Sequence, residues 1–472
     1  MAPGGSASRA NSFSWSTLAS IIIVFTAFLV CSVFGGLDYD KSELGSMSWC
    51  GSRPDACCDG RRDKCSVPFM GSVCYCDAFC NRTHMPGYQD CCPDYYRVCL
   101  GEPEPLARMC SIHGQFINEG DYYKFNCKMC KCIWNGFTMY LDCNEKQQTD
   151  CLINTTMIDI INRDPRRFGW RASNYSEFWG KDINLGFDRR LGTLLSTRKV
   201  LNMLPIKPDY DKRRLPRSFD SRNKWRGMIE QPRDQGWCNA SWAVSTASVA
   251  SDRTSILLKR RKTLLSPQHL LSCNAKTQDG CQGGHLSRAW VFIRRFGLVG
   301  DECFPWEGQQ TTCVIAKRKT ANESRCVPRN LRSPLYRVSP VYRITGEDDI
   351  MYEISKSGPV QATMRVYQDF FVYGGGIYRC TDLARSQRTG LHSVRILGWG
   401  EETQAGQTVK YWIAANSWGQ WWGEYGFFRI RKGFNDCNIE NFVLSAWAAH
   451  EKTPTINYRN PIKYDNTLSN DI

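Results

Sequence analysis

The sequence predicts small disulfide-rich modules strung ahead of one large globular domain, and three observations predict it. The chain has 472 residues and 25 cysteines. Cys31 stands alone in an apolar leader, ten cysteines lie between Cys50 and Cys99, six between Cys110 and Cys151, and eight between Cys238 and Cys437. Three even, segregated sets read as three separately stapled modules in an oxidising compartment. Only the stretch from Leu215 to about Trp447 is long enough to bury a substantial core. With 42% hydrophobic and 23% charged residues, the composition is globular and excludes a wholly disordered or collagen-like chain.

The leader comes first. Leu18 to Val33 is an uninterrupted apolar run. It fits a signal-peptide core within residues 1–36, with Val33 and Gly35 as small residues at cleavage positions. The alternative is an uncleaved type II anchor, because apolar character continues to Leu37. Either reading puts the rest of the chain on the extracellular side, and no later segment is apolar enough to span a membrane. Sequons at Asn81, Asn154, Asn174, Asn239 and Asn322 fit that compartment. Asn239 is expected to go unused, because it sits beside Cys238 at a helix entry. Nucleic acid is not an expected partner.

The first module, residues 49–100, crowds ten cysteines into about fifty positions, so covalent links must replace missing burial. Its run Cys74-x-Cys76-x3-Cys80, Cys91-Cys92, x6-Cys99 resembles a somatomedin-B domain. The second, residues 107–151, contains Cys127-x2-Cys130-x-Cys132 and resembles a von Willebrand type C-like repeat. Both resemblances imply protein binding; a plain spacer is the bland alternative. The compartment argues against zinc, and no metal or cofactor is expected. Residues 152–214 lack cysteine. Met157, Ile158, Ile160 and Ile161 recur at helical spacing, followed by Trp170, Tyr175, Phe178, Trp179, Phe187 and Leu191-Gly192-Thr193. Lys212-Arg213-Arg214 reads either as a processing site or as a solvated linker.

In residues 215–448, Gln235-Gly236-Trp237-Cys238-Asn239-Ala240-Ser241-Trp242-Ala243 resembles the nucleophile motif of papain-like cysteine proteases. Leu265-Ser266-Pro267-Gln268, Cys281-Gln282-Gly283-Gly284, Ser357-Gly358-Pro359-Val360, Leu391-His392-Ser393-Val394, Gly398-Trp399-Gly400 and Ala415-Asn416-Ser417-Trp418-Gly419 follow in the family's order. The start Leu215-Pro216-Arg217-Ser218-Phe219-Asp220 and the end Cys437-Asn438-Ile439-Glu440 are similar to cathepsin B. The resemblance implies an α+β fold, a papain-like two-lobed domain with a helical lobe and a β-barrel-like lobe, and makes residues 152–214 similar to a cathepsin prosegment. It also implies the pairs Cys238–Cys281, Cys273–Cys313 and Cys380–Cys437, which leaves Cys303–Cys326. It puts Gly283, Gly284, Trp418 and Glu440 at cleft-lining positions.

The family's chemistry needs a thiolate beside an imidazole, a group that orients the imidazole, and a donor to the oxyanion. By motif the imidazole is His392, the orienting amide Asn416 and the oxyanion donor Gln235. The nucleophile position holds Ser241. A hydroxyl is far less acidic than a thiol, and working serine mechanisms support the histidine with a buried carboxylate rather than an amide. Loss of peptidase activity is therefore expected, the alternative being a residual hydrolase acting through Ser241 and His392. Cathepsin B closes one end of its cleft with a histidine pair, whereas Cys303 to Cys326 contains no histidine here.

Charge is uneven: the formal net of +15 is concentrated in residues 215–448, with Lys259-Arg260-Arg261-Lys262, Arg294-Arg295 and Lys317-Arg318-Lys319 as clusters. Such a body attracts sulfated glycans or acidic proteins, or is merely a solvated basic face. Module order together with serine at the nucleophile position resembles the tubulointerstitial nephritis antigen family. That resemblance implies a secreted matrix glycoprotein that binds extracellular matrix proteins, cell-surface receptors or secreted signalling ligands.

Overall fold

The computed structural model describes residues 48–449 except 70–71, 82–90, 93, 102–108, 113–114, 136–137, 144–149, 261, 316–322, 327–330 and 382–387. The apolar leader, Asn322, the Lys317–Lys319 cluster and the polar tail 449–472 beyond its first residue lie outside the described residues. Among those described, no helix is long and apolar enough to cross a membrane. The chain forms two compact units, residues 1–108 and 109–472.

The first unit is built around sulfur. Its core is Cys50, Cys65, Cys74, Cys76, Cys80 and Cys92 with Tyr95. The ten cysteines pair among themselves as Cys50–Cys76, Cys57–Cys99, Cys58–Cys65, Cys74–Cys92 and Cys80–Cys91. Two short antiparallel strands, Ser66–Phe69 and Ser72–Tyr75, are its only sheet among the described residues. The buried Asp94 carboxylate accepts the backbone N–H groups of Trp49 (2.7 Å) and Cys50 (2.9 Å), tying the start of the module to its end.

The second unit opens with the six-cysteine module, again closed on itself by Cys110–Cys132, Cys127–Cys151 and Cys130–Cys143. One sheet joins Tyr122–Phe125, Lys128–Trp134 and Met139–Asp142, and a second pairs Met109–Ile112 with Gln115–Asn118. One side chain seats it on the next segment: Asn126 donates to the Ile153 carbonyl (2.8 Å) and accepts from the Gly180 N–H (2.9 Å).

Residues 152–214 are folded into the large domain. Asn154 caps the helix Thr155–Arg163 by accepting from the Met157 N–H. The spacing of Met157 and Ile161, one turn apart, puts both in the core. Strand Trp170–Ala172 pairs antiparallel with Tyr373–Tyr378 and becomes the edge of the main sheet. That sheet runs in the order Tyr342–Ile344, Phe442–Ser445, Val360–Val366, Gly390–Gln404, Gln407–Ala415, Phe427–Arg431, Tyr373–Tyr378, Trp170–Ala172, with Phe219–Asp220 pairing with Gly390–Gln404.

Against this β lobe stands a helical lobe of Ser241–Leu258, Pro267–Cys273 and Leu286–Phe296. Ser241–Leu258 is buried through its first fifteen residues. Small residues permit that, and its hydroxyls bond back to carbonyls four residues earlier, as Ser245 to Ser241, Thr246 to Trp242 and Ser251 to Ala247. The lobes have separate cores, one rich in Phe, Trp and Tyr on the sheet and one of Ala, Leu and Trp242 among the helices. The disulfides here are Cys238–Cys281, Cys273–Cys313 and Cys380–Cys437, as the resemblance implies, and the remaining pair Cys303–Cys326.

Candidate active site

Ser241 and His392 come from opposite lobes, Ser241 as the first residue of the long helix and His392 on the strand Gly390–Gln404. Asn416 directly succeeds the neighbouring strand, and its Oδ1 lies 2.7 Å from His392 Nε2. Trp418 covers this pair with its ring centroid 5.3 Å from that of His392, and is itself fully buried. His392 is inaccessible to solvent, and burial lowers its pKa to about 4, against a smaller opposite effect of the Asn416 hydrogen bond. It is a neutral imidazole at physiological pH. With Oδ1 of Asn416 accepting, Nε2 carries the proton and Nδ1 the lone pair. Nδ1 is buried and has no hydrogen-bond partner among the described residues.

The serine hydroxyl is engaged elsewhere. Ser241 Oγ lies 3.1 Å from Thr193 Oγ1, accepts from the Ser393 N–H at 3.3 Å and lies 3.4 Å from Ser393 Oγ. The network continues inward: Thr193 to Ser393 (2.8 Å), Ser245 to Ser393 (3.0 Å), and Gln361 Nε2 to Ser245 (2.7 Å), with Trp290 Nε1 donating to Gln361 Oε1. A hydroxyl both donates and accepts, so it completes such a chain in a way a thiolate cannot.

The oxyanion side is fully assembled. Ser417 donates its hydroxyl to Gln235 Oε1 (2.6 Å), which aims the amide Nε2 at the space before Ser241. The Leu191 carbonyl fills that space, accepting from Gln235 Nε2 and from the Ser241 N–H, each at 3.0 Å. These are the donors a tetrahedral intermediate needs, and one of them is an N–H at a helix start that has no partner within the helix. Beyond Leu191 the segment crosses the cleft in extended form. Gly284 N–H donates to Gly192 O (2.9 Å), Leu194 N–H to Gly284 O (3.0 Å), and Thr193 N–H to Leu391 O (3.2 Å). Gly192 is required: at φ 123° a Cβ would run into the Asn239 carbonyl. Gly284 likewise has the Trp242 ring where a side chain would stand, and Gly283, at φ 124°, faces the Leu194 side chain.

Just before Leu191, Arg190 is only 1% exposed. It pairs with Asp234 (2.7 Å) and Glu177 (2.8 Å) and lies over the Trp237 ring at 4.5 Å. Its carbonyl accepts from Trp418 Nε1 at 2.6 Å.

Of the residues expected from sequence, Ser241, Gln235, His392, Asn416 and Trp418 meet at one place, with Gly283 and Gly284 flanking the occupied cleft. Glu440 differs. Its carboxylate accepts from Trp412 Nε1 (2.8 Å), Gly433 N–H (2.6 Å) and Asn435 N–H (3.0 Å), so it braces the turn at 433–435 instead of lining the groove. Among the sequons, Asn174 is exposed, Asn154 caps a helix, Asn81 ends the 3-10 turn Ala78–Asn81, and Asn239 is half-buried. Sequence reasoning noted Leu191-Gly192-Thr193 without assigning it a role and missed Arg190, Ser393 and Ser245. The only local signal was a glycine inside an otherwise side-chain-bearing stretch.

Known proteins are similar to this chain in sequence and fold. Residues 215–447 match the papain family cysteine protease family. Tubulointerstitial nephritis antigen-like of Rattus norvegicus is 44% identical over 418 residues, covering 83% of this chain and 87% of that one. Tubulointerstitial nephritis antigen of Homo sapiens is 40% identical over 424 residues, covering 83% and 85%. Among solved structures, procathepsin B S9 from Trypanosoma congolense is similar at 30% identity with a TM-score of 0.55, over 64% of this chain and all of that one. The chain belongs to the tubulointerstitial nephritis antigen family and carries the fold of the papain-family cysteine proteases.

Proposed function

We propose that the chain is a secreted, non-catalytic matrix glycoprotein that binds extracellular matrix proteins, cell-surface receptors or secreted signalling ligands. The observation that carries this reading is the hydrogen bonding of Ser241, whose hydroxyl is held by Thr193 and Ser393 and not by His392. A cysteine at this position would form an ion pair with an imidazolium. Here the histidine is neutral and the group behind it is an amide, which does not stabilise the positive charge a serine mechanism develops on the imidazole. The two cysteine-rich modules, each closed by its own disulfides, support the binding half of the reading, because such knots offer surface without a catalytic cleft. Even disulfide sets and sequons support the extracellular half.

The test is made on the protein recovered from culture medium. Peptide hydrolysis and labelling of Ser241 by a serine-reactive phosphonate are expected to be absent, and capture by matrix proteins at physiological salt is expected to be present. Peptide turnover that disappears in Ser241→Ala overturns the non-catalytic half. Failure to bind matrix, receptor or secreted ligand overturns the other.

A further inference from the structure

The hairpin Glu323–Cys326/Leu331–Pro334 sets Arg325 directly opposite Arg332. Both are exposed, while the alternate pair Ser324 and Ser333 points inward and is buried. Directly opposed residues of an antiparallel pair have Cβ atoms about 5 Å apart, and like charges there are destabilising. Two links pin the hairpin to the chain just past the helix Leu286–Phe296: the disulfide Cys303–Cys326 and the Gly300 N–H donated to Ser333 Oγ at 2.8 Å. Leu298 and Tyr336 exchange backbone hydrogen bonds of 2.8 and 2.9 Å. That pairing brings the exposed last-turn residues Arg294 and Arg295 to the same edge as Arg337. The hairpin thus contributes Arg325 and Arg332, while Arg294, Arg295 and Arg337 flank the Leu298–Tyr336 pairing. Among the described residues neither Arg294 nor Arg332 forms an ion pair. Of the nearby acids, Asp301 is held by Arg233 at 2.7 Å.

We propose that this face binds a sulfated glycosaminoglycan chain. The inference rests on the extracellular reading above and names a partner class for it. The guanidinium is a planar fork that grips sulfate-type oxyanions through paired N–H donors. An anionic polymer bridging Arg325 and Arg332 turns their mutual repulsion into a shared attraction. The site is an open, exposed ribbon, which suits a linear polymer that lies across it.

Binding of the full-length secreted protein to heparin is measured against ionic strength. The native protein is expected to bind at physiological salt, with affinity falling steeply as salt rises. Arg325→Ala/Arg332→Ala should weaken binding about tenfold and flatten the salt dependence, with a thermal midpoint no lower than that of the native protein. Lys356→Ala/Lys410→Ala removes the same charge elsewhere on exposed surface and should change affinity less than about twofold. No heparin binding by the native protein overturns the proposal, as does equal weakening in both double variants or undiminished binding of desulfated heparin. Polyglutamate binding tighter than heparin assigns the face to an acidic protein and also overturns it. Matrix-protein capture, measured on the same variants, fails or survives independently of these results.

Discussion

The two sides of the cleft around Ser241 differ. On the oxyanion side every part is in place: Gln235 is aimed by Ser417, the first N–H of the helix points outward, and a carbonyl sits on both. On the proton-transfer side the serine hydroxyl belongs to a network of Thr193, Ser393 and Ser245, and the histidine Nδ1 has no hydrogen-bond partner among the described residues. The oxyanion side is made of groups that also hold the fold together, because they bind the segment 191–195. On the proton-transfer side the Ser241 hydroxyl bonds to Thr193 and Ser393 rather than to His392. On the non-catalytic reading proposed above, binding geometry and reactivity are separable within a single site.

The contrast breaks most visibly if sulfur is restored. Ser241→Cys, placed in a chain whose Gly192→Val change lifts the occupying segment, should hydrolyse peptides at least about 10³-fold faster than Gly192→Val alone. No gain would mean that the oxyanion side is not competent after all. Gly192→Val by itself should lower stability by about 3 kcal/mol, since a β-branched residue meets the Asn239 carbonyl at a φ it does not tolerate. Denaturant unfolding reads that loss.

The buried imidazole offers a similar figure with a defined sign. His392 has its pKa depressed to about 4 from an ordinary 6.5, so the unfolded chain takes up the proton first. The associated stability, on the order of 3 kcal/mol, is fully present above about pH 6.5 and is lost as pH falls toward 4. Comparing the pH dependence of unfolding with that of His392→Gln isolates it; equal slopes between pH 4 and 6.5 would refute it. The smallest effect belongs to Thr193→Val, which deletes one partner of the Ser241 hydroxyl. It should cost about 1 kcal/mol and leave the occupied oxyanion side untouched.

The family fold and the four central residues were legible because each sits in a contiguous string: Gln235 and Ser241 are six positions apart, and His392 and Asn416 each lie inside a recognisable motif. The occupant of the cleft was not legible. Thr193 is joined to Ser241 across 48 positions and to Ser393 across 200, and no local pattern records such a meeting. Arg189 and Arg190 look alike in sequence, yet the helix Ile183–Arg189 ends between them and turns only Arg190 inward. Strand Trp170–Ala172 read as an aromatic stretch because three residues are too few to show alternation. Glu440 erred in the opposite way: its motif was right, but a carboxylate's role depends on which donors surround it.

Arg190 has a consequence for the exposed triplet Lys212-Arg213-Arg214. Severing the backbone there would cut no disulfide, ion pair or strand pairing that joins residues 152–190 to the lobes. Arg190 would remain enclosed by tryptophan rings and flanked by two carboxylates, and Trp170–Ala172 would remain zipped to its neighbour. A nicked molecule should therefore run as two pieces on a denaturing gel but emerge from a sizing column as one particle.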